Sequence, residues 1–182
     1  MEKKNVSSVK RITLIGMMAA VVCVVTLFRF PLFGSKVHFA NTMCLVAGLL
    51  LGPVSGGMAA GLGSAIYDVL LGGYGAVEAL VTFATKFAMA WTCAMIVRGA
   101  KERGMVRVIA ACVIGAFTYM ALYLFKTWVF QSFVYGFAPD AVWATLLSKV
   151  PASLINACLA SVAGPILYAA LRPSLKKMGL PW

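Results

Sequence analysis

Acidic side chains are scarce: five Asp and Glu stand against 16 Lys and Arg in 182 residues, and charged residues of either sign make up only 12%. A water-soluble domain carries about twice that charged share. The chain has one histidine, His38, without a matched carboxylate, which gives little basis for acid–base catalysis. No nucleophile stands at helical spacing from a base, so an enzyme is not expected. No CxxC spacing occurs; Cys23, Cys44, Cys93, Cys112 and Cys158 all fall in apolar segments and read as small buried hydrophobes, with no metal or cofactor site. No GxxxxGK[ST] sequence is present, so any ATP hydrolysis has to come from a partner. No internal repeat or second domain is visible.

What the chain has is apolar length, with 62% hydrophobic residues. About 20 apolar residues suffice to cross a bilayer. Six spans are expected, at about Ile12–Phe28, Phe39–Leu51, Ser55–Leu71, Val77–Val97, Val106–Phe130 and Val142–Leu171. The second is too short to cross upright and is expected to lean on its neighbours. Gly52-Pro53 separates it from the third, "RFPLFGSKVH" is read as a loop, and Pro173 as the stop of the sixth. The basic start and apolar middle of the N-terminus imitate a signal peptide. The bulky "RFPLFG" that follows lacks a small-residue cleavage site, so an uncleaved first helix is expected.

The net charge of +11 does not point to nucleic acid, because of where the charge lies. Lys3, Lys4, Lys10 and Arg11, then Arg98, Lys101, Arg103 and Arg107, then Arg172, Lys176 and Lys177 form three clusters. With six spans all three fall on one side, which the positive-inside rule makes cytoplasmic, where they meet anionic lipid. The expected fold class is all-α: a polytopic six-transmembrane-helix bundle of the bacterial plasma membrane, with both termini cytoplasmic and residues 1–182 forming one domain.

Against this apolar background the polar residues are informative. Lys86 stands inside "LVTFATKFAMAWTCAMIV", where an unpaired ammonium costs roughly 2.5–3.5 kcal/mol on insertion scales. Thr82, Met89 and Cys93 share its helical face. Helix five carries Tyr119, Tyr123 and Lys126 at i, i+4, i+7, and helix six carries Lys149, Ser153 and Asn156 at the same spacing. Two readings stand side by side. Lys86 pairs with Asp68 of the third helix, Glu78 or Asp140 serves the other lysines, or Lys126 and Lys149 snorkel to the outer interface. Alternatively the three helices enclose a pocket for a polar ligand, with Tyr119, Tyr123, Trp91 and Trp128 against its ring. Asn156 is the cleanest ligand candidate, because an amide needs no charge partner. His38, Lys36, Asn41 and Phe33 belong at the outer mouth.

Small residues mark a further pattern. Gly57, Gly61, Ser64 and Asp68 form a bare stripe on the third helix, and Gly16, Ala19, Ala20 and Cys23 a similar one on the first. Such stripes let helices approach closely. Ordinary internal packing and docking of another membrane protein are both open.

The run "VHFANTMCLVAGLLLGPVSGGMAAGLGSAIYDVLLGGYG", followed by "LVTFATKFAMAW", resembles the substrate-binding S component of energy-coupling factor (ECF) vitamin transporters, most nearly the riboflavin-type family. The matching pieces are the Gly48–Pro53 turn, the Gly-rich helix from Gly61 to Tyr74 with Asp68, and Lys86. The resemblance implies a six-helix bundle that binds a vitamin or its precursor near the outer surface, between the first outer loop and helices four to six. It implies docking through helix one onto a transmembrane coupling protein driven by two ABC ATPases. The family's Ala-x-x-x-Ala on that helix is Gly16-x-x-x-Ala20 here. The substrate stays open among pyridoxine-like or pyrimidine precursors, riboflavin and other small vitamins. A stand-alone secondary transporter is the alternative, for which only Asp68 and Glu78 lie at a suitable depth for ion coupling.

Overall fold

The computed structural model describes residues 8–32, 35–98 and 104–177, without the side chains of Ser35 and residues 174–177. Lys3, Lys4, Phe33, Lys101, Arg103 and the side chains of Lys176 and Lys177 thus lie outside the described residues. Six helices follow one another: α1 (Ser8–Leu27), α2 (Ala40–Leu51), α3 (Pro53–Tyr67), α4 (Ala76–Val97), α5 (Met105–Val129) and α6 (Pro139–Lys177). Two of them end in a wide turn of π geometry, Asp68–Gly72 after α3 and Phe130–Val134 after α5. With those turns included, every helix except α2 is long and apolar enough to cross a membrane.

Helix α2 is the exception that organises the rest. Its 12 residues reach only about 18 Å at 1.5 Å per residue, against a hydrocarbon core of about 30 Å. It is apolar on all sides, and a helix of that kind belongs inside. From Ala40 to Leu50 every residue but Met43 is buried, and α2 touches all five other helices. Leu45 and Leu49 of α2 form the centre of the core with Met89 and Cys93 of α4 and Val108 and Cys112 of α5. Gly52, with φ +80°, turns the chain from α2 into α3, a backbone state that a side chain would strain.

The bare stripe of α3 is filled from within the bundle. A Cβ on Gly57 would meet the Phe87 ring at 2.8 Å, and one on Gly61 the Phe83 ring at 2.7 Å, so α4 lies in that groove. On the other side of α3, Gly63 packs against Ala19 and Val22 of α1. The stripe expected on α1 is therefore divided. Ala19 is buried against α3 and Cys23 is half-buried, while Gly16 and Ala20 are exposed.

Three sequence expectations need correction. The loop "RFPLFGSKVH" contains an antiparallel hairpin, β1 (Arg29–Leu32) and β2 (Ser35–His38), with Arg29 opposite His38. Each strand pairs only with the other, so four residues apiece suffice, and Pro31 is tolerated on an edge. Pro173 does not stop α6, which passes through Pro151, Pro165 and Pro173 to Lys177. In a membrane helix, neighbouring helices and local adjustment satisfy the carbonyls that a proline frees. Of the cysteines, Cys44, Cys93 and Cys112 are buried, but Cys158 is exposed on α6, where its neighbour would be lipid.

One end of the bundle collects positive charge. The Arg11 Nε donates to the Ser55 hydroxyl at 2.7 Å, tying the start of α1 to that of α3. The Arg107 Nε donates to the Ile96 carbonyl at 2.6 Å across the α4–α5 connection. The hairpin and both π turns lie at the opposite end.

Candidate functional site

Beneath the hairpin the helices part around a cavity of about 320 Å³. Its wall includes the end of α1, the hairpin, the first turn of α2, the end of α3, and the facing sides of α4, α5 and α6. Of the residues expected to meet a ligand, nine line this cavity: His38, Asn41, Lys86, Tyr119, Tyr123, Lys126, Lys149, Ser153 and Asn156. Asp68 lines it as well.

At the floor, Lys86 is only 3% exposed. Its ammonium donates to Asn41 Oδ1 and sits 3.8 Å from the centroid of the Tyr119 ring. The direct Lys86–Asp68 pair expected from the sequence is not formed. An amide oxygen and a π face hold the charge instead, and cation–π contacts are worth about 2 kcal/mol when desolvated. The carboxylate of Asp68 stands on the same wall at the start of the π turn.

The α5–α6 wall carries the other two expected lysines. The rings of Tyr119 and Tyr123, one turn apart on α5, stack at 6.1 Å. The Lys149 Nζ reaches the Tyr123 hydroxyl at 3.4 Å, and Lys126 lies 5.6 Å from the Phe130 ring. Neither lysine uses Glu78 or Asp140. The Glu78 carboxylate accepts the Gly75 N–H at 2.9 Å, capping α4, and the Tyr135 hydroxyl at 3.1 Å, while Asp140 is exposed. Trp91 and Trp128 are not on the wall. Both are exposed on the outer surface of the bundle, and Trp128 packs edge-on against Phe133 with centroids 5.5 Å apart.

The roof is the hairpin, and Asn156 holds it. This amide accepts the backbone N–H of His38 at 2.9 Å and donates to the carbonyl of Lys36 at 2.8 Å. The residue that the sequence singles out as the cleanest ligand contact thus spends both polar atoms on β2. His38 is carried beneath the roof, its Nδ1 buried and without a hydrogen-bond partner. Burial first, and then the Lys86 charge, push its imidazole down to about 3 against an opposing backbone hydrogen bond, with Arg29 and Lys36 adding to the push. The ring is therefore neutral at physiological pH.

Arg29, Tyr67, Tyr74 and Gln131 line the cavity without having been singled out in the sequence, whereas Lys36 stands at the mouth as expected. Arg29 lies 5.1 Å over the Tyr67 ring, and the Lys36 Nζ is 3.4 Å from the Tyr74 hydroxyl. Gln131 lines the same cavity. The π turns explain part of this. They insert extra residues between Tyr67 and Tyr74 and beyond Phe130, so regular α spacing loses track of the face.

Comparison with known proteins bears on the whole architecture. The sequence profile of the family described as "ECF-type riboflavin transporter, S component" matches residues 6–173. No curated protein sequence matches the chain. A solved structure described as "Structure and mechanism of the S component of a bacterial ECF transporter" superposes with a TM-score of 0.73 at 20% identity, covering 93% of this chain and 99% of that one. Another, "Crystal structure of FolT bound with folic acid", gives a TM-score of 0.58 at 23% identity, covering 88% and 98%. At these identities the two structures establish a shared fold.

Proposed function

Because this chain belongs to the family of ECF-type riboflavin transporter S components, membrane-integral transport subunits rather than enzymes, we propose that it captures a small water-soluble vitamin or vitamin precursor in the cavity under the hairpin. Import is then driven by partners, a transmembrane coupling protein and two ABC ATPases. The ligand contacts are assigned to Tyr119, Tyr123, Lys126, Lys149, Ser153 and His38, with Lys86 and Asn41 shaping the floor and Asn156 the roof. The basic end of the bundle is assigned to the cytoplasm, which makes the hairpin end the outer one. The exposed Gly16 and Ala20 are assigned to the coupling protein.

The observation that carries this reading is the buried polar cavity itself. In a bundle made of apolar helices, Lys86, Ser153 and Asn156 are each buried and turned inward to one space. Polar residues placed that way cost stability unless they serve binding or transport. The test is native mass spectrometry of the purified full-length protein, together with thermal unfolding against a panel of water-soluble vitamins. A ligand at about 100 times its Kd stabilises by about 2.7 kcal/mol, a shift of a few degrees in Tm. A panel without any shift and a preparation without any bound solute would refute the reading.

A further inference from the structure

The charges around the cavity do not balance. Five cations line it (Arg29, Lys36, Lys86, Lys126 and Lys149) against two carboxylates, Asp68 and Glu78. One of the two, Glu78, is already engaged at both oxygens by Gly75 and Tyr135. His38 is neutral, so it does not change the sum. The groups in direct contact with the cations are neutral: aromatic faces, phenol hydroxyls and the Asn41 amide, while the Asp68 charge acts on Lys86 and Lys126 through space. Three positive charges are thus left in excess, in a half-enclosed space where water screens poorly.

The cations are not equivalent. Lys86 is sealed at the floor by Asn41 and Tyr119, whereas Lys126 and Lys149 are half-buried and loosely held. The hydrogen bond of Lys149 to Tyr123, at 3.4 Å, lies beyond the usual 2.7–3.2 Å range, and Lys126 touches the Phe130 ring, with the Asp68 charge acting on it through space. Long side chains held in this way re-aim onto an arriving anion at little cost. They flank Tyr123, whose ring continues the Tyr119 stack.

We propose that the ligand is anionic: a small planar ring compound bearing a phosphate or carboxylate, with the anionic group between Lys126 and Lys149 and the ring against Tyr119 and Tyr123. This rests on the solute-capture reading and narrows it. The excess charge thereby becomes an element of selectivity, since the neutral form of the same ring leaves the two ammonium groups uncompensated.

Full-length protein in nanodiscs of phosphatidylcholine is titrated calorimetrically with matched pairs: riboflavin and riboflavin 5′-phosphate, pyridoxine and pyridoxine 5′-phosphate, nicotinamide and nicotinate. In the pair that binds, the anionic member is expected to be held at least about tenfold more tightly, as hydrogen bonds between charged groups imply. The Lys126→Met/Lys149→Met variant should lose that preference, its affinity falling at least about tenfold further for the anionic member than for the neutral one, and Lys126→Arg/Lys149→Arg should keep it. Equal or tighter binding of the neutral member, or a preference unchanged in the double Met variant, overturns the proposal and leaves solute capture standing. Binding of no member of any pair overturns both. Phosphatidylglycerol added to the nanodisc distinguishes the source of the anion: if it competes with the ligand stoichiometrically, a lipid headgroup is the occupant and the proposal fails.

Discussion

Asn156 of α6 binds the backbone of β2 as a neighbouring strand would, accepting from the His38 N–H at 2.9 Å and donating to the Lys36 carbonyl at 2.8 Å. One side chain therefore couples the roof of the cavity to the helix that carries Lys149 and Ser153. Each such bond is worth about 1 kcal/mol net. Asn156→Ala should leave the bundle folded but loosen the hairpin, raising amide hydrogen exchange at His38 by about tenfold. Ligand release should accelerate with it. Unchanged exchange at His38 would show that the hairpin is held by other contacts.

Lys86 and Asn41 form a second coupled pair. Removing the ammonium leaves the Asn41 oxygen buried without a donor, at a cost of about 1–3 kcal/mol. Lys86→Met should accordingly lower stability by that amount, measured by denaturant unfolding in mild detergent. Adding Asn41→Leu should recover part of the loss, because two apolar groups replace a half-satisfied pair. Adding Asp68→Asn should recover less, since Asp68 acts on the ammonium only through space and not by direct contact. The opposite pattern would restore the Lys86–Asp68 ion pair.

The difference between the expected and the observed partner of Lys86 shows where sequence is informative. That Lys86, Lys126 and Lys149 turn inward follows from helical spacing and from the cost of charge in hydrocarbon, both properties of single helices. Which group meets each ammonium depends on the register between helices. Asn41 lies 45 positions from Lys86 and reaches it only because α2 is drawn into the centre of the bundle. The hairpin is illegible for a different reason. Two four-residue strands, the first containing Pro31, show no alternation to read, and the second is tied to the bundle by Asn156, more than a hundred residues away.

His38 makes stability depend on pH. Its folded pKa, about 3, lies below the ordinary value of 6.5, so folding favours the neutral ring. The contribution is fully present above about pH 6.5 and is lost as pH falls toward 3, by up to about 1.4 kcal/mol per unit. Unfolding midpoints measured from pH 7.5 down to 5 should therefore decline, and His38→Gln should flatten the decline. A slope identical in the variant would assign it to other groups.

The α3–α4 groove tolerates no added bulk. A Cβ on Gly61 would lie 2.7 Å from the Phe83 ring, and real Cβ atoms do not approach so closely. Gly61→Ala should destabilise by about 1–3 kcal/mol through overpacking. The Phe83→Leu change in the same chain should return a measurable part of it by opening the space the methyl needs. Additive losses in the double variant would place the clash on the Phe83 backbone oxygen, 2.9 Å from the added Cβ, rather than on the ring.

Gly16 offers the converse case, because nothing lies within 4 Å of the position its Cβ would take, and the residue is exposed on α1. Added bulk there has no internal neighbour to displace. Gly16→Leu should therefore leave ligand affinity within error of the parent and should not lower the melting temperature, since glycine disfavours a helix by about 1 kcal/mol. If Gly16 and Ala20 are the surface on which the coupling protein seats, the leucine holds the two helices apart. Uptake reconstituted with the coupling protein and both ATPases should then fall several-fold while binding to the isolated chain persists. The parallel change at Ala19, which packs against Gly63, should instead lower stability and binding together. Full uptake by Gly16→Leu would move the docking surface to another face of the bundle.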